Sequence, residues 1–75
     1  LVADDEEGIR FVLGRVLRQE GCEVDEVGAG DEAVARAETT DYDLYVLDMK
    51  MPRKDGMTAL REIRRRRPGA LVLMI

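Results

Sequence analysis

Hydrophobic positions along the chain follow two different periods. Ile9, Val12, Leu13, Val16 and Leu17 fall at i, i+3, i+4, i+7 and i+8, with Arg10, Arg15 and Arg18 between them. That spacing predicts a helix with one buried apolar stripe. Gly21 follows where a left-handed helix terminus is wanted, and Cys22 to Val27 then alternates Cys, Glu, Val, Asp, Glu, Val. Such a period-two run predicts a half-exposed strand at or near a sheet edge. Gly28-Ala29-Gly30 reads as a turn, and Asp31 and Glu32 place negative charge in the first turn of a second helix whose buried side is Ala33, Val34 and Ala37.

Asp43-Leu44-Tyr45-Val46-Leu47-Asp48 breaks the alternation, because its four apolar residues are continuous and bracketed by carboxylates. This is the pattern of a strand covered on both faces, and it predicts the central strand. Met57, Leu60 and Ile63 with Ala59 form a further helical stripe, ended by Pro68-Gly69, and Leu71 to Ile75 is another continuous apolar strand. With Leu1 to Ala3 as the stub of a first strand, the order is βαβαβαβ. Strands and helices alternating in this way predict an α/β, doubly wound parallel sheet with right-handed crossovers, and such sheets collect ligands at the carboxyl ends of their strands. Tyr45 carries a polar tip into the central strand, where its hydroxyl needs a partner if buried.

Composition narrows the class. Of 75 residues, 45% are hydrophobic and 37% charged, enough apolar material for a packed interior and too much for a disordered tail. A start at Leu1 and a strand-like end over 72–75 lead us to expect a fragment of a larger domain. Cys22 is the single cysteine, and no basic-then-apolar leader or long apolar run is present. A reducing, cytoplasmic setting without membrane insertion is therefore expected. The net charge of −4 is unevenly placed: residues 1–48 hold 14 acidic against 4 basic groups, and residues 49–75 hold 8 basic against 2 acidic. The overall sign argues against direct nucleic-acid binding by this segment, and the acidic half invites a cation. The run Arg64 to Arg67 suits the negative end of a helix and solvent.

The candidate chemistry lies in three acids. Asp4 and Asp5 follow the first strand and Asp48 ends the third, so the expected topology brings them to one rim, where unpaired they would repel. A hard divalent cation resolves the conflict, and Mg²⁺ takes oxygen ligands from carboxylates, waters and phosphate. A carboxylate is a weak nucleophile, but charge neutralisation and in-line positioning make phosphoryl transfer to it feasible. The plainer alternative assigns these acids to helix capping, which does not require an acid at the end of a buried strand. Pro52 fixes φ and Gly56 tolerates conformations closed to other residues, so the pair can shape a tight loop with Asp55 free to cap the next helix.

Taken together, Leu1-Val2-Ala3-Asp4-Asp5-Glu6, Tyr42 to Pro52 and Asp55-Gly56 resemble the three signatures of the response-regulator receiver domain of bacterial two-component signalling, over the whole chain. The resemblance implies a flavodoxin-like fold with strand order 2-1-3-4, truncated so that 1–75 is a partial receiver domain lacking the fourth helix, fifth strand and fifth helix. It implies that Asp48 is the phosphoacceptor, served by a phosphohistidine on a sensor histidine kinase or phosphotransfer protein. Asp5 and Asp48 would bind Mg²⁺ directly, Asp4 mainly through water, and the backbone carbonyl of Lys50 would be a further ligand. The exposed side of the first helix, with Arg10, Arg15 and Arg18, would belong to the kinase-docking surface. A signalling switch is expected rather than an enzyme. Two alternatives remain: a Mg²⁺-dependent phosphohydrolase with an aspartyl nucleophile, disfavoured because Asp48-Met49-Lys50 has no second acid, and a receiver-like interaction domain, expected to lose one of the three acids. The family's Thr or Ser after the fourth strand and Lys after the fifth have no counterpart here, and neither Lys50 nor Lys54 stands in for that lysine. With Leu71 to Ile75 at a sheet edge, a homodimer or swapped assembly is expected of the isolated segment.

Overall fold

In the computed structural model, which describes residues 1–75, four parallel strands alternate with three helices. The elements are β1 (Val2–Ala3), α1 (Glu7–Gln19), β2 (Glu26–Val27), α2 (Gly30–Thr39), β3 (Tyr45–Leu47), α3 (Gly56–Arg66) and β4 (Val72–Met74). The strand order is β2-β1-β3-β4, with every pair parallel. The expected flavodoxin-like order therefore holds, and β3 is internal with β2 at an edge. Because the chain steps one way from β1 to β2 and the other way thereafter, right-handed crossovers put α1 on one face and α2 and α3 on the other.

The core lies on the α2–α3 face. Leu1, Ala3, Tyr45 and Leu47 point into it and meet Ala33 and Ala37 of α2 and Ala59 and Ile63 of α3. The alanines leave room for α2 and α3 to pack directly on each other over the sheet. Leu47 and Ile63 are fully buried, which stabilises the fold by about 1.5–3 kcal/mol each relative to exposure. Helix ends are closed by specific groups: the Asp55 side chain accepts the Thr58 amide at 2.8 Å, and Arg67 Nε donates to the Ala37 carbonyl at 2.9 Å, satisfying the end of α2 from the end of α3. Gly21 adopts the left-handed conformation (φ 90°) expected after α1. Arg64 and Arg65 face solvent, while Arg66 and Arg67 pair with Glu38 and Asp41.

The stripe on α1 departs from expectation. Ile9, Val12 and Val16 are 43%, 57% and 51% exposed, Leu13 and Leu17 are half-buried, and Gly14 is the buried residue of the helix. Val2 and Val46 are buried on the sheet face that α1 covers, and polar contacts along the helix add to that packing. Glu26 of β2 lies over Gly14, where a Cβ would come within 2.5 Å of the carboxylate, and Arg18 and Arg10 pair with that carboxylate at 2.8 and 3.8 Å. The apolar stripe lies on the same sheet face as Leu73 and Ile75 of the β4 edge, which alternate with the core-facing Val72 and Met74 and are also exposed. Strand β2 is shorter than the Cys22–Val27 run suggests: Glu26 and Val27 pair with β1, the Asp25 carbonyl accepts the Val2 amide at 2.9 Å, and the register goes no further. Met57 of the third stripe is exposed, leaving Ala59, Leu60 and Ile63 as its inward residues.

Tyr45 is fully buried, and its hydroxyl has no hydrogen-bond partner, contrary to the requirement stated from sequence. Its ring stands edge-on to Tyr42 at 5.4 Å, so the aromatic packing keeps it in place despite the orphaned oxygen. Tyr45→Phe keeps that packing and removes the desolvated hydroxyl. Denaturant unfolding of this variant is expected to show stability unchanged or raised by up to about 1 kcal/mol; a clear loss would mean that the hydroxyl has a partner in solution.

Candidate functional site

The register of two neighbouring strands builds the site. Val2 and Ala3 of β1 lie opposite Val46 and Leu47 of β3, so the next residue of each strand, Asp4 and Asp48, emerge side by side, and the Asp48 amide donates to the Ala3 carbonyl at 2.9 Å. With Asp5 they bring three carboxylates together, one oxygen of each lying within 4.8 Å of the others. Asp4 is buried, Asp48 half-buried and Asp5 exposed.

Each acid is held differently. Asp4 Oδ1 accepts the Glu6 amide at 2.9 Å, a bond that also turns the chain into α1, and the Asp4 backbone carbonyl accepts Arg10 Nη1 at 2.7 Å. Glu6, the residue preceding α1, makes no side-chain cap of its own. Asp48 Oδ1 accepts the Lys50 amide at 3.2 Å, which limits rotation of the carboxylate. Burial pushes the Asp4 carboxyl above its ordinary range; the Glu6 amide opposes that shift, and the neighbouring Asp48, then Asp5, add to it. Capping thus explains one oxygen of Asp4 and leaves unexplained why three acids converge.

The loop from Met49 to Asp55 is folded tightly over the rim. The Gly56 amide donates to the Met49 carbonyl at 3.0 Å, Lys54 N to the Pro52 carbonyl at 2.7 Å, and Met51 is buried in the core. Gly56 is required for a reason other than the one read from sequence. It does not take a positive φ; a Cβ there would overlap the Asp48 carbonyl and the Met49 backbone. The left-handed residue of this loop is Arg53, at φ 65°. Its side chain reaches Asp31 and Glu32, a bridge that sequence patterns do not announce, since residues 22 positions apart carry no periodicity. Lys50 is exposed and close to Asp48. Of the three α1 arginines read as one exposed surface, Arg10 and Arg18 are engaged with Glu26, and Arg15 is free of ion pairs.

Residues 1–75 match the family model described as the response regulator receiver domain. The chain is 47% identical over 75 residues to the transcriptional regulatory protein PdtaR of Mycobacterium tuberculosis, covering 99% of this chain and 37% of that protein. It is 39% identical over 74 residues to the transcriptional regulatory protein ResD of Bacillus subtilis, covering 99% and 31%. Among solved structures, it superimposes on response regulator TrrA of Thermotoga maritima, crystallised in complex with Mg²⁺ and a beryllium fluoride, with TM-score 0.93 and 37% identity, covering 97% of this chain and 64% of that one. CheY of Borrelia burgdorferi, in a complex with CheX, BeF₃ and magnesium, gives TM-score 0.91 at 29% identity, covering 97% and 57%. The chain belongs to the receiver-domain family of two-component response regulators. It spans roughly a third of the length of the curated relatives it matches, 37% and 31% for these two.

The raised Asp4 carboxyl has a sign that can be checked. A folded-state pKa above the unfolded value means that the folded state holds the proton more tightly, so stability falls as pH rises through that interval and the penalty is complete above it. Without divalent metal at pH 7, Asp4→Asn, which can still accept the Glu6 amide, is expected to melt a few degrees higher than the parent chain. The difference should vanish below the unfolded Asp range, and melting curves at both pH values measure it.

Proposed function

We propose that Asp48 is the phosphoacceptor of a two-component switch and that it works with Mg²⁺ held by Asp4, Asp5 and Asp48. The observation that carries this reading is the convergence of three carboxylates from separate segments at the carboxyl ends of β1 and β3. The donor set fits a hard divalent cation: it is all oxygen, highly charged, and part buried and part open, with room left for water and phosphate oxygens. The Lys50 backbone carbonyl is proposed as a further ligand, and Asp4 as acting mainly through water. When bound, Mg²⁺ would neutralise the acids and the charge on the phosphoryl oxygens.

The protein's part is positional. The Lys50 amide holds one oxygen of the Asp48 carboxylate, which orients the group for attack. A new O–P bond to Asp48 forms as the N–P bond of a phosphohistidine on a sensor kinase or phosphotransfer protein breaks, and the electron pair leaves with the imidazole nitrogen. Half-burial of Asp48 limits water at the acyl phosphate while leaving it open to a partner. The added charge of about −1.5 to −2 then biases two conformations of the domain, a signalling role without turnover of an external substrate.

These 75 residues are proposed to be the N-terminal part of the receiver domain, since they cover 57–64% of the receiver structures above. In isolation, the edge of β4 with exposed Leu71, Leu73 and Ile75 favours self-association. The proposed setting is cytoplasmic; no helix is long and apolar enough to cross a membrane.

In the intact domain, Mg²⁺ with a phosphodonor is expected to add one phosphoryl group, detected as base- and hydroxylamine-labile mass. Asp48→Asn is expected to lose essentially all of it. Equal labelling of the Asn variant would overturn the assignment.

A further inference from the structure

We infer that Arg53 is a positioning residue: its guanidinium clamps the loop between β3 and α3 onto the first turn of α2 and thereby holds the Lys50 backbone at the acid cluster. The inference rests on the reading of that cluster as a Mg²⁺ site and adds a residue that the chemistry itself does not require.

Arg53 is the one non-glycine residue with positive φ, a conformation in which an L side chain is strained and which Gly or Asn would occupy more easily. Such a conformation persists where the surroundings over-determine it. The side chain supplies that determination. Nε meets Asp31 Oδ2 at 2.9 Å, and Nη2 meets Glu32 Oε2 at 3.4 Å. The other Glu32 oxygen accepts the Gly28 amide at 3.4 Å, so one fork links the loop, the first turn of α2 and the turn before it.

The backbone reinforces the same contact. The Lys54 carbonyl sits so close to Gly30 that a Cβ on Gly30 would overlap it, and Lys54 Nζ pairs with Glu62 of α3. Lys50 lies between two anchors, its own amide bond to Asp48 and the buried Met51. Beyond Met51, the outer arm of the loop is tied down through Arg53 and Lys54. Loss of the fork therefore frees the arm that presses the Lys50 segment against the rim, while Asp4, Asp5 and Asp48 keep their strand-fixed positions.

The test uses the full chain. Arg53→Asn accepts the left-handed backbone and removes the fork; Asp31→Asn with Glu32→Gln removes it from the other side. Two quantities are read: amide hydrogen exchange at Lys54 and Gly56 in metal-free protein, and the Mg²⁺ dissociation constant by calorimetry. Arg53→Asn is expected to speed exchange at both amides and to weaken Mg²⁺ binding roughly two- to fivefold, the range open to an exposed ion-pair network. The acid double variant should do the same, the triple variant no more than either, and the differences should shrink in about 1 M NaCl. Wild-type exchange and affinity in Arg53→Asn, or fully additive effects, would overturn the clamp. A parent chain that bound no Mg²⁺ would overturn the metal reading instead, and the metal-free exchange comparison would still decide the clamp.

Discussion

Everything at this site follows from the pairing of two very short strands. Once Val2 and Ala3 are in register with Val46 and Leu47, the chain cannot avoid placing Asp4 beside Asp48. Ala3 and Leu47 fill the α2–α3 face while Val2 and Val46 are buried on the opposite one, so hydrophobic burial on both faces drives like charges together. Burial first, and the neighbouring Asp48 second, shift the Asp4 carboxyl toward its neutral form. Like charges gathered at one rim make the stability of the domain sensitive to any charge placed among them.

Around this fixed pair, the remaining parts are adjustable. The β3–α3 loop is shaped by close backbone approach at Gly56 and Gly30 and by the bridge from Arg53, while Arg10 secures the backbone of Asp4 from α1. The acids on the strand ends and the groups on the loop differ in rigidity accordingly. Strand ends are set by the core, and the loop is set by contacts that water and salt can compete with.

Much of this was legible in the sequence because the signals were local or periodic. The continuous apolar run before Asp48 marked the central strand, and the acids at strand ends followed from topology. Asp55 capped α3 as its position implied. Signals failed where tertiary placement decided the outcome. The α1 stripe has perfect helical spacing, yet periodicity says which residues share a face, not what covers it, and Ile9, Val12 and Val16 are exposed. Gly56 was identified for the right loop and the wrong reason, since φ and steric clearance both select glycine and only coordinates separate them. Arg53 looked like any loop cation, because neither its backbone conformation nor its distant acidic partners leave a mark on residue spacing.

The unequal covering of the sheet has a further consequence. One face is sealed by α2 and α3 over a continuous core, whereas the other carries α1 over Val2 and Val46, with Gly14, Glu26 and two arginines beside them. The two faces therefore differ in extent of burial: opening α1 uncovers Val2 and Val46, while opening α2 or α3 dismantles the larger core cluster. The acid rim straddles that boundary, with Asp4 and Asp5 leading into the loosely held side and Asp48 into the tightly held one. A ligand gripping both would join two regions of unequal stability into one cooperative unit.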